Sequence, residues 1–211
     1  MKRSVKVGML TLSALTGFFV FTGLSGVKVL PKEAPVELLT NPGFESPALT
    51  PLTQGSIHPV GWQTFTSGTT ELMTLSVGTA RSGNQAVKFV SHGVLNFFQG
   101  MFQTLPVTPG DTYQFGVYVK GDPAKPLKGS GTGQLSIEWH DANDNEVGRL
   151  WSTPWGASLP ATEWTRFEVA GAAPPTSATA HYVIVEKGEG QPVSGCVFFV
   201  DDASVVKMSE E

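Results

Sequence analysis

Hydrophobic and polar residues alternate with a period of two along most of the chain after residue 35. This alternation is typical of β-strands that turn one face towards a hydrophobic core. Turn-forming Gly, Pro, Asn and Asp separate the alternating segments, and no segment there shows an amphipathic helix of three turns. The pattern therefore predicts an all-β protein, an antiparallel β-sandwich or jelly roll. The predicted strands are 86–91, 101–107, 112–120, 135–140, 166–169, 181–186 and 197–205.

The amino-terminal segment has a different pattern. Lys2, Arg3 and Lys6 precede an apolar run without any charge, from residue 7 to residue 27. A basic start followed by such a run predicts a secretory signal peptide or a retained membrane anchor over residues 1–27. In both cases the rest of the chain is secreted or extracytoplasmic, and membrane contact is expected only through this segment. We expect a linker at 28–35, one domain at 36–206 and a tail at 207–211.

Composition narrows the class of protein. The 211 residues include 24 Gly and 15 Pro, and only 15% are charged, which excludes a coiled coil. The net charge of -4, which becomes about -7 without Lys2, Arg3 and Lys6, gives no basic surface for nucleic acid. Cys196 is the single cysteine, so no intramolecular disulfide is possible, and its apolar neighbours indicate a core thiol.

Several short motifs follow one another in a characteristic order. Their positions are 38–45 (LLTNPGFE), 59–62 (PVGW), 80–87 (ARSGNQAV), 103–119, 137–148, 164–167 (WTRF) and 199–205 (FVDDASV). The ordered set resembles the carbohydrate-binding modules of families four and nine, within the galactose-binding-like jelly-roll superfamily. The resemblance implies an antiparallel jelly roll that binds a poly- or oligosaccharide, with Trp62 and Trp164 in the core.

The same resemblance implies a structural calcium ion. In that family the first and last strands lie side by side, and a carboxylate from each helps to hold the ion. The matching residues here are Glu45 and Asp201, with backbone carbonyls around residues 81–84 completing the shell. Calcium prefers six to eight hard oxygen ligands, which this set supplies in type. The alternative is a glutamate in a turn and two solvated aspartates at a strand end.

A shallow saccharide cleft is one interpretation of the polar faces of the predicted strands. Tyr118 lies opposite the apolar phase of its strand, and Glu138 and His140 share its face if the two strands are in one sheet. Gln103 joins them from the preceding strand. An aromatic ring among polar side chains suits a sugar, although an ordinary solvated sheet face gives the same pattern.

Trp151 and Trp155 form the second candidate for sugar binding. They lie four residues apart in a segment rich in Pro and Gly, and a loop exposing both offers an aromatic platform. The alternative is a loop that folds back and closes the end of the sandwich. Convergent, exposed Trp151, Trp155 and Tyr118 would favour sugar binding, and burial of all three would favour a structural role.

Catalysis is not expected. Glycosidases need two carboxylates about 5–10 Å apart, and the pattern brings no specific pair together. His58, His92, His140 and His181 are scattered along the chain without metal-ligand spacing. The sequence thus predicts an exported, non-catalytic carbohydrate-binding module with structural calcium. The alternative is a non-catalytic surface or envelope interaction protein that uses the same sandwich without binding sugar.

Overall fold

The computed structural model describes residues 34–50, 56–68, 72–94, 96–188 and 194–209. The predicted export segment and residues 28–33 of the predicted linker lie outside the described residues. No helix within the described part of the chain is long and apolar enough to cross a membrane.

Ten strands make up the regular structure of the described residues. They are β1 (Gln63–Thr66), β2 (Met73–Val77), β3 (Gln85–His92), β4 (Phe97–Pro106), β5 (Thr112–Gly121), β6 (Gly131–His140), β7 (Glu146–Trp151), β8 (Thr165–Ala172), β9 (Thr179–Gly188) and β10 (Ser194–Lys207).

The strands form two antiparallel sheets of five. The order in the first sheet, here the front sheet, is β1-β4-β9-β6-β7; in the second, the back sheet, it is β2-β3-β10-β5-β8. The longest pairing in the front sheet joins β4 and β9, from Phe97 opposite Gly188 to Pro106 opposite Thr179. This is the antiparallel β-sandwich with jelly-roll character that the alternation predicts, and the fold class is confirmed.

The hydrophobic core lies between the inward faces of the two sheets. Phe89 and Phe198 of the back sheet stack at 4.8 Å between ring centroids, and Phe115 meets Tyr182 of the front sheet edge-on at 5.6 Å. Burying each such side chain contributes roughly 1.5–3 kcal/mol. The fully buried set also includes Met101, Leu135, Ile137, Ile184, Val117, Val119 and Val200.

Each predicted strand overlaps an observed one, and 101–107 runs one residue beyond β4. The pattern missed β1, β2 and β7. The first two have only four and five residues, too few for a clear period. β7 is an edge strand with no fully buried residue, so its alternation is weak.

The expected core aromatics differ in burial. Trp62 is 7% exposed, in agreement with the expectation, and Trp139 and Tyr113 are buried as well. Trp164 is only half-buried. Cys196 is buried between apolar neighbours, as its sequence context predicts.

Candidate functional site

A groove of about 480 Å³ crosses the outer face of the front sheet. It spans all five strands through their outward side chains, from β7 at one edge to β1 at the other. Its lining consists of Phe65, Phe98, Phe102, Glu138, Arg149, Trp151, His181, Val183, Val185 and Lys187.

One wall of the groove is a cluster of three phenylalanines, Phe65, Phe98 and Phe102, here the phenylalanine wall. Phe98 and Phe102 lie four residues apart on β4, so both point outward. Gly100 lies between them, and a Cβ there would be 2.5 Å from the Phe65 ring. The missing side chain lets Phe65 of β1 lie across β4, with its centroid 6.1 Å from Phe98 and 6.2 Å from Phe102.

Trp151 forms the facing wall. It ends β7, the edge strand opposite β1, and remains 41% exposed. The Nζ of Lys187 lies 3.9 Å from its ring centroid, and the guanidinium carbon of Arg149 lies 5.2 Å away. Cations at these distances are attracted to the electron-rich face of the indole. They hold Trp151 in place while leaving two-fifths of it open to solvent.

Charged groups between the walls are fixed by contacts with one another. Glu138 accepts a hydrogen bond from Ser136 Oγ at 2.9 Å and forms an ion pair with Arg149 at 3.3 Å. Arg149 donates two hydrogen bonds to Glu146, at 2.8 and 2.6 Å. These bonds raise the pKa of Arg149 and lower that of Glu146, so both stay charged at neutral pH.

Two histidines extend the row of rings from the phenylalanine wall. His181 of β9 stacks on Phe102 at 5.0 Å, and His140 of β6 stacks on His181 at 4.0 Å with 25° between the planes. Burial, with a further effect of His140, lowers the pKa of His181. The expectation that the histidines are scattered is therefore wrong for this pair, because β6 and β9 are neighbouring strands.

Tyr118 does not belong to this site. It lies on β5 of the back sheet, whereas Glu138 and His140 lie on β6 of the front sheet. The Tyr118 ring carries the guanidinium of Arg81 at 3.5 Å and that of Arg166 at 5.4 Å. The expected shared face is wrong, because β5 and β6 have the same alternation but lie in different sheets.

Gln103 is also excluded from the groove. It is 5% exposed, and its side-chain amide binds the backbone of Thr40, accepting at 3.0 Å and donating at 2.7 Å. Both polar ends are used to hold the segment near residue 40. Gln103 therefore has a structural role, contrary to the sequence prediction.

Trp155 is buried, so the exposed tryptophan pair is wrong for one of its members. It is 2% exposed and packs on Phe167 at 5.0 Å and Phe198 at 5.7 Å. Its backbone bridges Gly133, where a Cβ would lie 2.1 Å from the indole nitrogen. The alternative interpretation, a loop that folds back onto the sandwich, is correct for Trp155, whereas Trp151 faces solvent.

Glu138 and Trp151, both predicted from the sequence, lie together in the groove, and His140 adjoins it through His181. The residues missed are Phe65, Phe98, Phe102, Arg149, His181 and Lys187. The alternation of β4 did contain a signal for the groove. Phe98 and Phe102 lie on one face of the strand, and Gln99 and Gln103 lie on the other. Hydrophobicity alone assigns the phenylalanines to the core, although the glutamines point inward.

Glu45 and Asp201 approach the same hairpin from the two ends of the domain. Glu45 Oε1 accepts from the backbone amides of Asn84 and Gln85 at 3.0 and 3.2 Å. Asp201 accepts from those of Arg81 and Ser82, at 2.7 and 3.2 Å. Burial raises the pKa of Asp201 to about 6. Two converging carboxylates supply the kind of oxygen ligand that a bridging cation needs. In this structure their hydrogen bonds are with backbone N–H groups.

Comparison with known proteins gives the family and the fold. A family model described as a carbohydrate binding domain matches residues 36–194. A search of curated proteins finds no match. The tailspike protein 4 enzymatically active domain of bacteriophage CBA120 has a TM-score of 0.51 and 16% identity, over 71% of this chain.

Two further structures are carbohydrate-binding modules. TmCBM61 in complex with β-1,4-galactotriose has a TM-score of 0.50 and 18% identity, covering 82% of this chain and 99% of its own. The CBM22-1–GH10 modules of Clostridium thermocellum xylanase 10B with xylohexaose have a TM-score of 0.50 and 18% identity over 72% of this chain. The present chain spans 20% of the tailspike chain and 27% of the xylanase chain. At these identities the likeness concerns the fold alone.

Proposed function

The chain belongs to the carbohydrate-binding domain family of the family four and nine type, and on this premise we propose that it binds a poly- or oligosaccharide in the front-sheet groove. One observation carries the proposal. Trp151 on one side and the phenylalanine wall on the other face each other across a floor that holds Glu138, Arg149 and Lys187.

The groove offers both kinds of contact that a sugar requires. The C–H faces of a pyranose ring pack on aromatic rings, which offer a large apolar surface. Hydroxyl groups need donors and acceptors held at fixed positions, because ordering a free side chain costs conformational entropy on binding. Arg149 is held by Glu138 and Glu146, and Glu138 is held by Arg149 and Ser136, so little of that cost remains.

The proposed contact residues are Trp151, Glu138, Arg149, Lys187 and the phenylalanine wall. His140, predicted from the sequence, adjoins the groove through His181. Two of the structural neighbours, TmCBM61 and the xylanase modules, are described with bound galactotriose and xylohexaose. A neutral β-linked oligosaccharide is therefore the first ligand class to test.

A non-catalytic role is part of the proposal, and the lining supports it. Among the described residues that line the groove, Glu138 is the one carboxylate, and a glycosidase uses two. The Glu138–Arg149 ion pair gives that carboxylate a positioning partner rather than a second acid.

Export and structural calcium complete the proposal. Export rests on the basic and apolar pattern of residues 1–27. Calcium rests on the convergence of Glu45 and Asp201 on residues 81–85, where the ion would join the two ends of the domain. Neither carries the sugar proposal, which depends on the groove alone.

The decisive experiment is affinity electrophoresis in gels that contain xylan, galactan or β-glucan, after a glycan array has selected the ligand. Wild-type protein is retarded, and Trp151→Ala weakens binding about tenfold, the equivalent of 1.4 kcal/mol. Tyr118→Ala is the matched control, because that aromatic lies on the outer face of the other sheet. The proposal fails if no glycan is bound, an outcome that favours a protein-interaction role, or if Trp151→Ala and Tyr118→Ala behave alike.

A further inference from the structure

We propose that Glu138, His140 and His181 form a binding site for a divalent transition-metal ion, with zinc as the preferred occupant. One ligand atom from each residue lies within 4.8 Å of the other two. The site is separate in place and in ligand type from the oxygen ligands at Glu45 and Asp201. It does not depend on sugar binding.

The strand geometry brings the three side chains to one face. Glu138 and His140 are two residues apart on β6, so both point outward, and His181 on β9 is paired directly with Glu138. Residues two apart on a strand are separated by about 6.8 Å and paired residues by about 5 Å. Three side chains from such positions reach a common point above two neighbouring strands of the sheet. Because β6 and β9 lie inside the sheet, their backbones are fixed on both sides.

His140 is oriented as a metal ligand. Its Nδ1 lies 3.1 Å from the backbone oxygen of Asp144 and 3.0 Å from the Oδ1 of the same residue. Both partners are acceptors, so Nδ1 carries the proton and Nε2 presents its lone pair. That Nε2 is buried and has no hydrogen-bond partner within the described residues. An unpaired buried polar atom is unfavourable because it has lost its contacts with water, and a metal ion would give this nitrogen a partner.

Asp144 acts as the positioning residue for this ligand. Metal-binding histidines commonly donate their second N–H to a carboxylate or a carbonyl, which fixes the ring and the tautomer. The turn that carries Asp144 is held by Asp141, whose Oδ1 accepts from the backbone amides of Asn143 and Asn145 at 2.8 and 2.9 Å. The 141–145 turn thereby presents both acceptors to His140.

The chemistry of the three ligands selects the kind of ion. Two imidazoles and one carboxylate suit zinc, which binds such sets at about 2.0–2.2 Å, whereas calcium and magnesium prefer oxygen alone. Arg149 is the competing group, at 3.3 Å from Glu138 Oε2. Metal binding would release Glu138 from Arg149, which keeps its two bonds to Glu146.

Isothermal titration of the chelator-stripped protein with Zn²⁺, in excess Ca²⁺ and without sugar, tests the proposal. We expect one ion per chain. His140→Gln and His181→Gln each weaken binding at least tenfold, and Asp144→Ala weakens it about tenfold, the low end for such partners. His92→Gln is the control, a histidine on β3 of the back sheet, and leaves the affinity unchanged.

Thermal melting of each variant verifies that it is folded, and the visible spectrum of bound Co²⁺ reports the coordination independently. Loss of the tetrahedral Co²⁺ spectrum in both cluster variants, but not in His92→Gln, supports the site. The proposal is overturned if wild-type protein binds no Zn²⁺, or if the cluster variants and the control bind it equally. A sugar-binding defect has no bearing on either result.

Discussion

Glu186 is a carboxylic acid buried in the core, and it makes stability depend on pH. It is fully buried on β9, in contact with Ser91 Oγ of β3, and its Oε2 accepts from Gln99 Nε2 at 2.7 Å. Burial raises its pKa from 4.5 to about 7, against the smaller opposite effects of the hydrogen bonds from Ser91 and Gln99. The folded protein therefore keeps this acid protonated at a pH where the unfolded chain has ionised it.

The sign and size of the effect follow from that difference. A raised pKa gives a stability contribution that is complete below 4.5 and is lost as the pH rises to 7. Each pKa step corresponds to 1.36 kcal/mol, so the loss is about 3 kcal/mol. Glu186→Gln removes the ionisation and preserves the shape and hydrogen bonding of the protonated acid. We expect the variant to equal wild type near pH 4 and to exceed it by about 3 kcal/mol at pH 8.

The assay is urea unfolding, followed by tryptophan fluorescence, at several pH values from 4 to 8.5. Taking the difference in the free energy of unfolding between Glu186→Gln and wild type cancels the contributions of the other titrating groups, including Asp201. Glu163→Gln is the matched control, since Glu163 is exposed. A variant-minus-wild-type difference that stays flat with pH would refute the assignment of the buried acid.

Three further predictions concern the core, the groove and the calcium ion. Trp155→Ala lowers the free energy of unfolding by about 3–5 kcal/mol in urea titration, because the buried indole leaves a cavity; a loss under 1 kcal/mol would contradict the packing. Phe102→Ala reduces retardation in the polysaccharide gel relative to Tyr118→Ala, and the melting temperatures verify that both variants are folded. Unchanged retardation would remove the phenylalanine wall from the site. Adding EDTA to the calcium-loaded protein lowers its melting temperature, and Glu45→Gln abolishes this response; an EDTA response of the same size in the variant would rule out Glu45 as a ligand.

The fold follows from the sequence because its signal is local. A strand with one buried face shows its alternation without reference to any other strand, and the segment at 112–120 illustrates this over its whole length. Which strands become neighbours is a long-range property that the alternation does not contain. Tyr118 and Glu138 show the consequence, since each is correctly assigned to an outward face but the two faces belong to different sheets. His140 and His181, 41 positions apart in the chain, stack for the same reason.

Three buried glutamines explain why the sequence pattern did not reveal the groove. A buried amide is costly unless every polar atom is bonded, and each of these glutamines binds the backbone of a neighbouring segment: Gln85 binds Leu49, Phe44 and Pro47, Gln99 binds Leu72 and Val90, and Gln103 binds Thr40.

On β4 this arrangement reverses the usual relation between hydrophobicity and burial. The inward positions of Gln99 and Gln103 hold segments against the sheet, and the outward positions of Phe98 and Phe102 are left for aromatic rings. Because β4 buries amides and exposes phenylalanines, it contributes less apolar surface to the core and forms a wall of the groove instead. The combination is costly without a ligand, since Phe98 is 46% exposed, and it is therefore the strongest argument that this face of the sandwich binds one.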